Sequence, residues 1–288
     1  MKLALGTAQF GLNYGVANTK GQMTAKEVSG VLDLAKSAGV DTLDTAVAYG
    51  ESEAVLGGLG VQGWKVITKL PAIPDQVTDV DFWVHEQVKK SLVKLNVKRL
   101  YGLMLHRPME LLDSKGRALF EAMEHLKSSG VVEKIGISVY GTKELELLSG
   151  QYSFDLVQVP LNIWDRRLVD TGWLEKLKKL DVEVHARSAF LQGLLLMQPQ
   201  DRPQKFSHWS QAWQAWDEWL LATNCTPLEA CLRYLNGLAE VDRVVVGVDS
   251  ITQLQQILSA AKGNLTKLPQ FNWMGDDRLL NPACWSVL

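Results

Sequence analysis

Eight short apolar runs alternate with longer amphipathic stretches, and this alternation is the strongest constraint on how the chain folds. The runs cover 3–7, 41–45, 65–69, 100–106, 134–138, 156–160, 183–187 and 243–247. Between them, helical patterns occupy 24–38, 81–95, 116–129, 142–149, 171–180, 226–235 and 251–261. Thr24 with Glu27 forms a capping-box signature, and Gly39 marks the helix stop. Thr226-Pro227 with Glu229 opens another helix in the same way, with proline at the first helical position. Strand–helix alternation implies right-handed crossovers and a parallel sheet. Eight strands is the number that closes a (β/α)8 TIM barrel. Length alone allows two domains or one large barrel, but no Pro/Gly/Ser-rich linker divides the chain. The expectation is a single domain spanning 1–288.

The ends of the strand runs carry the polar residues. Asp44, Lys69, His106, Ser138, Gln158 and Arg187 stand at or just past the C-terminal ends of the second to seventh runs, in order. An open sheet would string them along an edge about 25 Å long, at roughly 4.8 Å per strand. A closed barrel gathers them at one mouth, where barrel active sites lie. Two segments fall outside the repeat. Residues 198–223 carry Trp209, Trp213, Trp216 and Trp219 at helical spacing. They are read as a helical insertion packing its indoles on the barrel or, alternatively, as a flap presenting them to substrate. The tail from Leu268, with Trp273 and Trp285, has no clear period and is read as surface packing or as a cover for the pocket.

Composition excludes several classes. With 47% hydrophobic and 22% charged residues, the chain reads as a globular protein with a large core. A net charge of −2 without a Lys/Arg run argues against nucleic acid. No apolar stretch approaches the roughly 18 residues of a membrane helix, and the first residues are too soon interrupted for a secretory signal. Three cysteines without metal-ligand spacing suit a reducing compartment, so a cytoplasmic location is expected. No metal is expected either. His106, His185 and Asp44 are the imaginable ligands, but the first run offers none and no two histidines share a strand or helical turn. His185 is read as a buried structural imidazole. Gly58-Leu59-Gly60-Val61-Gln62-Gly63 fits G-x-G-x-x-G, yet it follows a helical stretch and precedes a strand. That is the wrong context for a dinucleotide fingerprint, so it is read as a helix stop and loop.

The segment Asp44-Thr45-Ala46-Val47-Ala48-Tyr49-Gly50-Glu51-Ser52-Glu53 places a carboxylate and a phenol five residues apart. Reducing a carbonyl by hydride leaves an alkoxide, which needs a proton in or near the transition state. Tyr49 can supply it if a nearby ammonium stabilises the tyrosinate; Lys69 is the candidate, held protonated by Asp44. His106 would polarise the carbonyl oxygen. Each residue alone has a plain structural reading as packing, cap, strand end or loop histidine. Their joint placement at adjacent strand ends makes a reaction centre.

These residues carry a family resemblance. Asp44-Thr-Ala-x-x-Tyr49-Gly-x-Ser-Glu, Ile67-Thr68-Lys69, Leu105-His106-Arg107-Pro108, Gly136-Ile137-Ser138, Val157-Gln158-Val159 with Asn162, and Gly193-Leu194-Leu195 resemble the aldo-keto reductases. The likeness runs from Leu5 to about Ile257. It implies a metal-free barrel that reduces aldehydes or ketones with NADPH, less often NADH, through a tetrad of Asp44, Tyr49, Lys69 and His106. It also implies that Ser138 and Gln158 hold the nicotinamide carboxamide. Further cofactor contacts are implied for Gly6, Thr7, Arg187, Gly193, Gly247, Asp249, Gln253 and Gln256. Three departures stand out. Val139 replaces a frequent asparagine, and Arg187 stands where many members stack a tyrosine on the nicotinamide. A guanidinium can stack there too, or it can bind an anionic substrate. Gln253 stands where NADPH-preferring members often keep arginine, and Asp249, read as a helix N-cap, adds negative charge. NADP(H) is favoured by the resemblance and NAD(H) remains open. The expected function is therefore NAD(P)H-dependent reduction of a small carbonyl, or its reverse, with a sugar-derived substrate suiting the aromatic surface and Arg187. A rival reading is a catalytically silent barrel acting as a cofactor-binding regulatory subunit.

Overall fold

The computed structural model describes residues 2–16, 18, 21–265, 267–269 and 276–287. Eight parallel strands close a barrel in sequence order: β1 (Leu3–Gly6), β2 (Thr42–Asp44), β3 (Lys65–Leu70), β4 (Leu100–Leu105), β5 (Val132–Ser138), β6 (Leu156–Pro160), β7 (Glu183–Arg187) and β8 (Arg243–Gly247). Pairing of β1 with β8 through Leu3 to Gly6 completes the cylinder and removes any free edge. The helices are α1 (Ala8–Gly11), α2 (Ala25–Ser37), α3 (Ser52–Leu59), α4 (Val80–Leu95), α5 (Gly116–Ser128), α6 (Thr142–Leu148), α7 (Arg167–Asp170), α8 (Trp173–Lys179), α9 (Ser210–Thr223), α10 (Pro227–Gly237), α11 (Ile251–Ala260) and α12 (Asp277–Leu280).

Local chemistry sets the boundaries. Thr24 and Thr226 each accept from the backbone of a glutamate three residues on, closing the two capping boxes read from sequence. The stretch expected as one helix over 171–180 begins earlier and is broken. Gly172, at φ +74°, separates α7 from α8, a conformation that glycine adopts without steric cost. The G-x-G-x-x-G segment is the end of α3, which stops at Gly60 with φ +82°. Asp249 is not the cap of α11. Ser250 is extended and its hydroxyl accepts from Gln253 N at 3.2 Å, whereas Asp249 donates its own N–H to Gln253 Oε1 at 2.7 Å.

Side chains alternate between the two faces of a strand, so one parity of each strand fills the barrel. On β3 this parity holds Lys65, Ile67 and Lys69; on β7 it holds Glu183, His185 and Arg187. Ile67, Met104 and Leu156 form an apolar cluster separate from the main core, with Tyr101 packed against it. A Cβ on Gly102 would come within 3.0 Å of Leu156 and 3.1 Å of Ile67, so glycine leaves the room this layer needs. Outside the barrel, Leu43, Val66, Leu103 and Val157 face the helices within the main core.

The tryptophan insertion packs on the barrel. Trp209, Trp213 and Trp216 are buried, and Trp164 from the segment after β6 meets Trp213 at 4.4 Å and Trp216 at 6.1 Å between ring centres. None of the four tryptophans borders the central cavity, which corrects the flap reading. The described tail packs on this insertion: Trp209 Nε1 donates to Asp276 at 3.0 Å and Trp285 lies edge-on to Phe206 at 4.9 Å. No residue of 276–285 lines the cavity; Trp273 lies outside the described residues.

Candidate active site

A cavity of about 610 Å³ opens at the C-terminal ends of the strands. Asp44, Tyr49 and His106 line it, and so do Gly6, Thr7, Ser138, Gln158, Arg187, Gly193, Gly247, Asp249, Gln253 and Gln256. Lys69 is fully buried directly behind this wall. Every residue singled out by sequence therefore gathers at one mouth.

The tyrosine loop is fixed by close backbone approach. Gly50 sits at φ +57°, and a Cβ there would lie 2.5 Å from the Gly11 carbonyl; one on Gly11 would lie 1.9 Å from the Tyr49 carbonyl. Only glycines admit this contact between α1 and the loop. Beneath it, Ser52 Oγ bonds Thr7 Oγ1 at 2.8 Å and Thr45 Oγ1 at 3.1 Å, and Thr68 Oγ1 donates to the buried Glu53 at 2.7 Å. The serine and glutamate that close the motif hold the loop from inside.

Lys69 Nζ donates to Asp44 Oδ2 at 2.7 Å and to the Thr45 carbonyl at 3.0 Å. The same ammonium lies 5.2 Å from the centre of the Tyr49 ring, and the His106 ring stands edge-on to Tyr49 at 5.9 Å. No hydrogen bond joins Lys69 to the Tyr49 hydroxyl among the described contacts. Burial, then the Asp44 charge, pushes the Tyr49 phenol well above its ordinary range, and Arg187 opposes them. The phenol therefore holds its proton at neutral pH. Burial lowers Lys69, against the pull of Asp44. Burial and then the Lys69 charge lower His106 to about 4, leaving a neutral imidazole that can donate one N–H.

Deeper in the wall, Gln158 Nε2 donates to Asp44 Oδ1 at 2.7 Å, so its Oε1 is fixed as the acceptor, with Ser138 Oγ at 3.4 Å. This buried donor–acceptor pair matches the hydrogen-bonding edge of a primary carboxamide. After β7, Ser188, Leu191, Gln192 and Gly193 all have positive φ. Such turns form concavities that suit anions, and Ser188, Gln192 and Gly193 border the cavity. The donor set thus fits a nicotinamide dinucleotide. Arg187 meets a tyrosine: its guanidinium stacks over Tyr140 at 4.7 Å and donates to the Val139 carbonyl at 2.9 Å. The sequence reading missed Tyr14, Tyr140 and Phe190, which also line the cavity. They sit in loops without periodicity; Tyr140 and Phe190 follow strand ends closely, whereas Tyr14 comes only after α1.

The barrel and site define a class, and comparison gives the family. The chain belongs to the aldo/keto reductase family, whose model matches residues 2–269. It is similar to Oxidoreductase YdhF of Escherichia coli (strain K12), 28% identical over 192 residues, which cover 60% of this chain and 63% of that protein. The match thus spans less than two thirds of the relative's length. In fold it is similar to aldo-keto reductase AKR11C1 from Bacillus halodurans. The holo form gives a TM-score of 0.72 at 21% identity, covering 92% of this chain and 88% of that one. The apo form gives 0.69 at 21% identity, covering 92% and 87%.

Proposed function

We propose that the protein is an NAD(P)H-dependent oxidoreductase that reduces a small aldehyde or ketone to an alcohol, or runs the reverse, within a single barrel domain. One observation carries this reading: a protonated phenol, a neutral imidazole and a buried ammonium–carboxylate pair share one cavity wall. The nicotinamide, when bound, supplies the hydride. Tyr49 gives its proton to the carbonyl oxygen as charge develops there. His106 donates its N–H to the same oxygen, orienting it and stabilising the developing alkoxide. The Lys69 charge beside the ring stabilises the tyrosinate left behind, and Asp44 holds that ammonium in place. Ser138 and Gln158 hold the carboxamide, and the turn after β7 with Gly6, Thr7 and Gly247 forms the cofactor's wall. Asp249, Gln253 and Gln256 border its far end. That end shows no lysine or arginine among the lining residues, which supports use of NADH alongside NADPH. Small carbonyls are the partners. No helix of the described residues is long and apolar enough to cross a membrane.

The test is to follow nicotinamide absorbance with NADPH or NADH and a panel of small aldehydes. Carbonyl-dependent cofactor oxidation supports the reading. Tight cofactor binding with no oxidation by any aldehyde would point instead to the silent regulatory barrel.

A further inference from the structure

Charge on the cavity wall is unevenly compensated. Asp44 is paired with Lys69 at 2.7 Å, and His106 is neutral at ordinary pH. Arg187 is different. No carboxylate among the described residues lies within ion-pair distance of it, although the structure pairs arginines 117, 167, 202, 233, 243 and 278 with acids. Its guanidinium is held by three contacts. Nη2 donates to the Val139 carbonyl at 2.9 Å, Nη1 donates to Ser188 Oγ at 3.1 Å, and the plane rests on the Tyr140 ring at 4.7 Å. A guanidinium carries five N–H donors, so two are committed inside the protein and the rest remain for a partner. The residue borders the same cavity as Tyr49 and His106, and its field reaches Tyr49, Tyr14 and His106 alike. A fixed, half-buried cation without a counter-ion beside a reaction centre is arranged to receive one. A guanidinium fork matches the oxygens of a carboxylate or phosphate.

We infer that Arg187 is a specificity-determining residue that anchors an anionic group on the substrate, so that the preferred carbonyl carries a carboxylate or phosphate. This rests on the carbonyl-reducing reading above. The anion lies against the free donors of Arg187 while the carbonyl oxygen meets Tyr49 and His106.

The experiment compares matched pairs of carbonyls: 4-formylbenzoate against its methyl ester, and glyceraldehyde 3-phosphate against glyceraldehyde. The readout is the ratio of kcat/KM for the charged member to that for the neutral one. Any loss of cofactor affinity in a variant cancels in this ratio. The wild type should favour the charged member of at least one pair by about tenfold or more, the range of a charge-assisted pair. Which pair shows it distinguishes carboxylate from phosphate. Arg187→Gln should bring the ratio to about 1, and Arg187→Lys, which keeps the charge without the fork, should retain part of it. A wild-type ratio near 1 in both pairs, or a ratio that Arg187→Gln leaves unchanged, overturns the inference while leaving carbonyl reduction standing. If no carbonyl is reduced, the carbonyl-reducing reading fails. Calorimetric titration with 4-formylbenzoate then decides separately: binding about tenfold weaker in Arg187→Gln upholds the anion site, and equal binding refutes it.

Discussion

The two ends of the barrel interior both bury charge, but they dispose of it differently. At the N-terminal floor, one carboxylate collects three donors. Glu183 accepts from Tyr101 Oη at 2.6 Å and His185 Nε2 at 2.8 Å, and it pairs with Lys134. Lys65 and Lys134 each lie 5.3 Å from the centre of the Tyr101 ring. Burial works against the Glu183 charge, yet the hydrogen bonds from His185, Lys134 and Tyr101 hold its carboxyl far below the ordinary range. At the C-terminal mouth, Tyr49, His106 and Arg187 line a cavity, and among the described residues the ion pair there is Asp44 with Lys69. A network gathered on one carboxylate plugs the floor. A network with one open side has chemistry left to do.

The largest effect that tests this contrast is Tyr49→Phe. Removing the proposed proton donor should lower kcat by about 10²–10⁴, the usual share of general acid catalysis. Cofactor affinity and thermal stability should hold, as measured by nucleotide titration and melting. Unaltered turnover would sink the assignment of roles at the mouth. Next is Lys69→Met, which strands Asp44 as an uncompensated buried charge. Breaking one side of such a pair costs about 3–5 kcal/mol, readable as a lower urea midpoint. Adding Asp44→Asn should return part of that stability without returning activity.

Much of this contrast is legible in the sequence, and the limits have physical causes. Lys69, Ser138, Gln158 and Arg187 can be placed because strand parity is strict: once a run is read as a strand, its last inward residue must face the mouth. Glu183 obeys the same geometry at the other end, whereas Tyr101 shares the parity of the outward Leu103 and reaches Glu183 only from the start of β4, and the beginning of a strand gives no functional cue. Their partnership is therefore invisible until β4 and β7 are brought together, 82 residues apart in sequence. Tyr14 and Tyr140 lie in loops, where no period constrains direction. Asp249 was misread because aspartate and serine are equally good caps; only the backbone angles of Ser250 decide between neighbours. Of the two readings that the tryptophan spacing allows, packing is the one the structure bears out, because an amphipathic helix buries one face and Trp213 and Trp216 lie on it.

At the floor, Glu183→Gln should reduce stability by about 1–3 kcal/mol, because the amide cannot accept from three donors at once. Turnover should not change. The pH dependence gives an independent reading. A carboxyl whose folded pKa is depressed below its ordinary 4.5 contributes stability that is fully present above that value. The contribution is lost as pH falls from there toward the folded value. The wild type should therefore lose stability below about pH 4.5 more steeply than Glu183→Gln, by urea titration across that range. Parallel curves would mean that the plug contributes little.

The smallest effect makes the sharpest comparison, because it repeats the first deletion at the opposite end. Tyr101→Phe removes one hydroxyl, as Tyr49→Phe does. The Tyr101 hydroxyl is already committed to Glu183, and burial, then that hydrogen bond, pushes it up to about 12. Glu183 keeps Lys134 and His185 when it is lost, so the cost should be about 1.5 kcal/mol, the low end for a hydrogen bond to a charged acceptor. Turnover should be untouched, since Tyr101 does not border the cavity. The Tyr49 hydroxyl, by contrast, has no such partner among the described residues and, in the proposed reaction, a substrate oxygen to serve. Two identical chemical changes should thus separate cleanly, one on the melting curve and one on the rate. A Tyr101→Phe variant that slows turnover as strongly as Tyr49→Phe would mean that the two ends are coupled through the Ile67, Met104 and Leu156 layer, and the division between plug and site would fail.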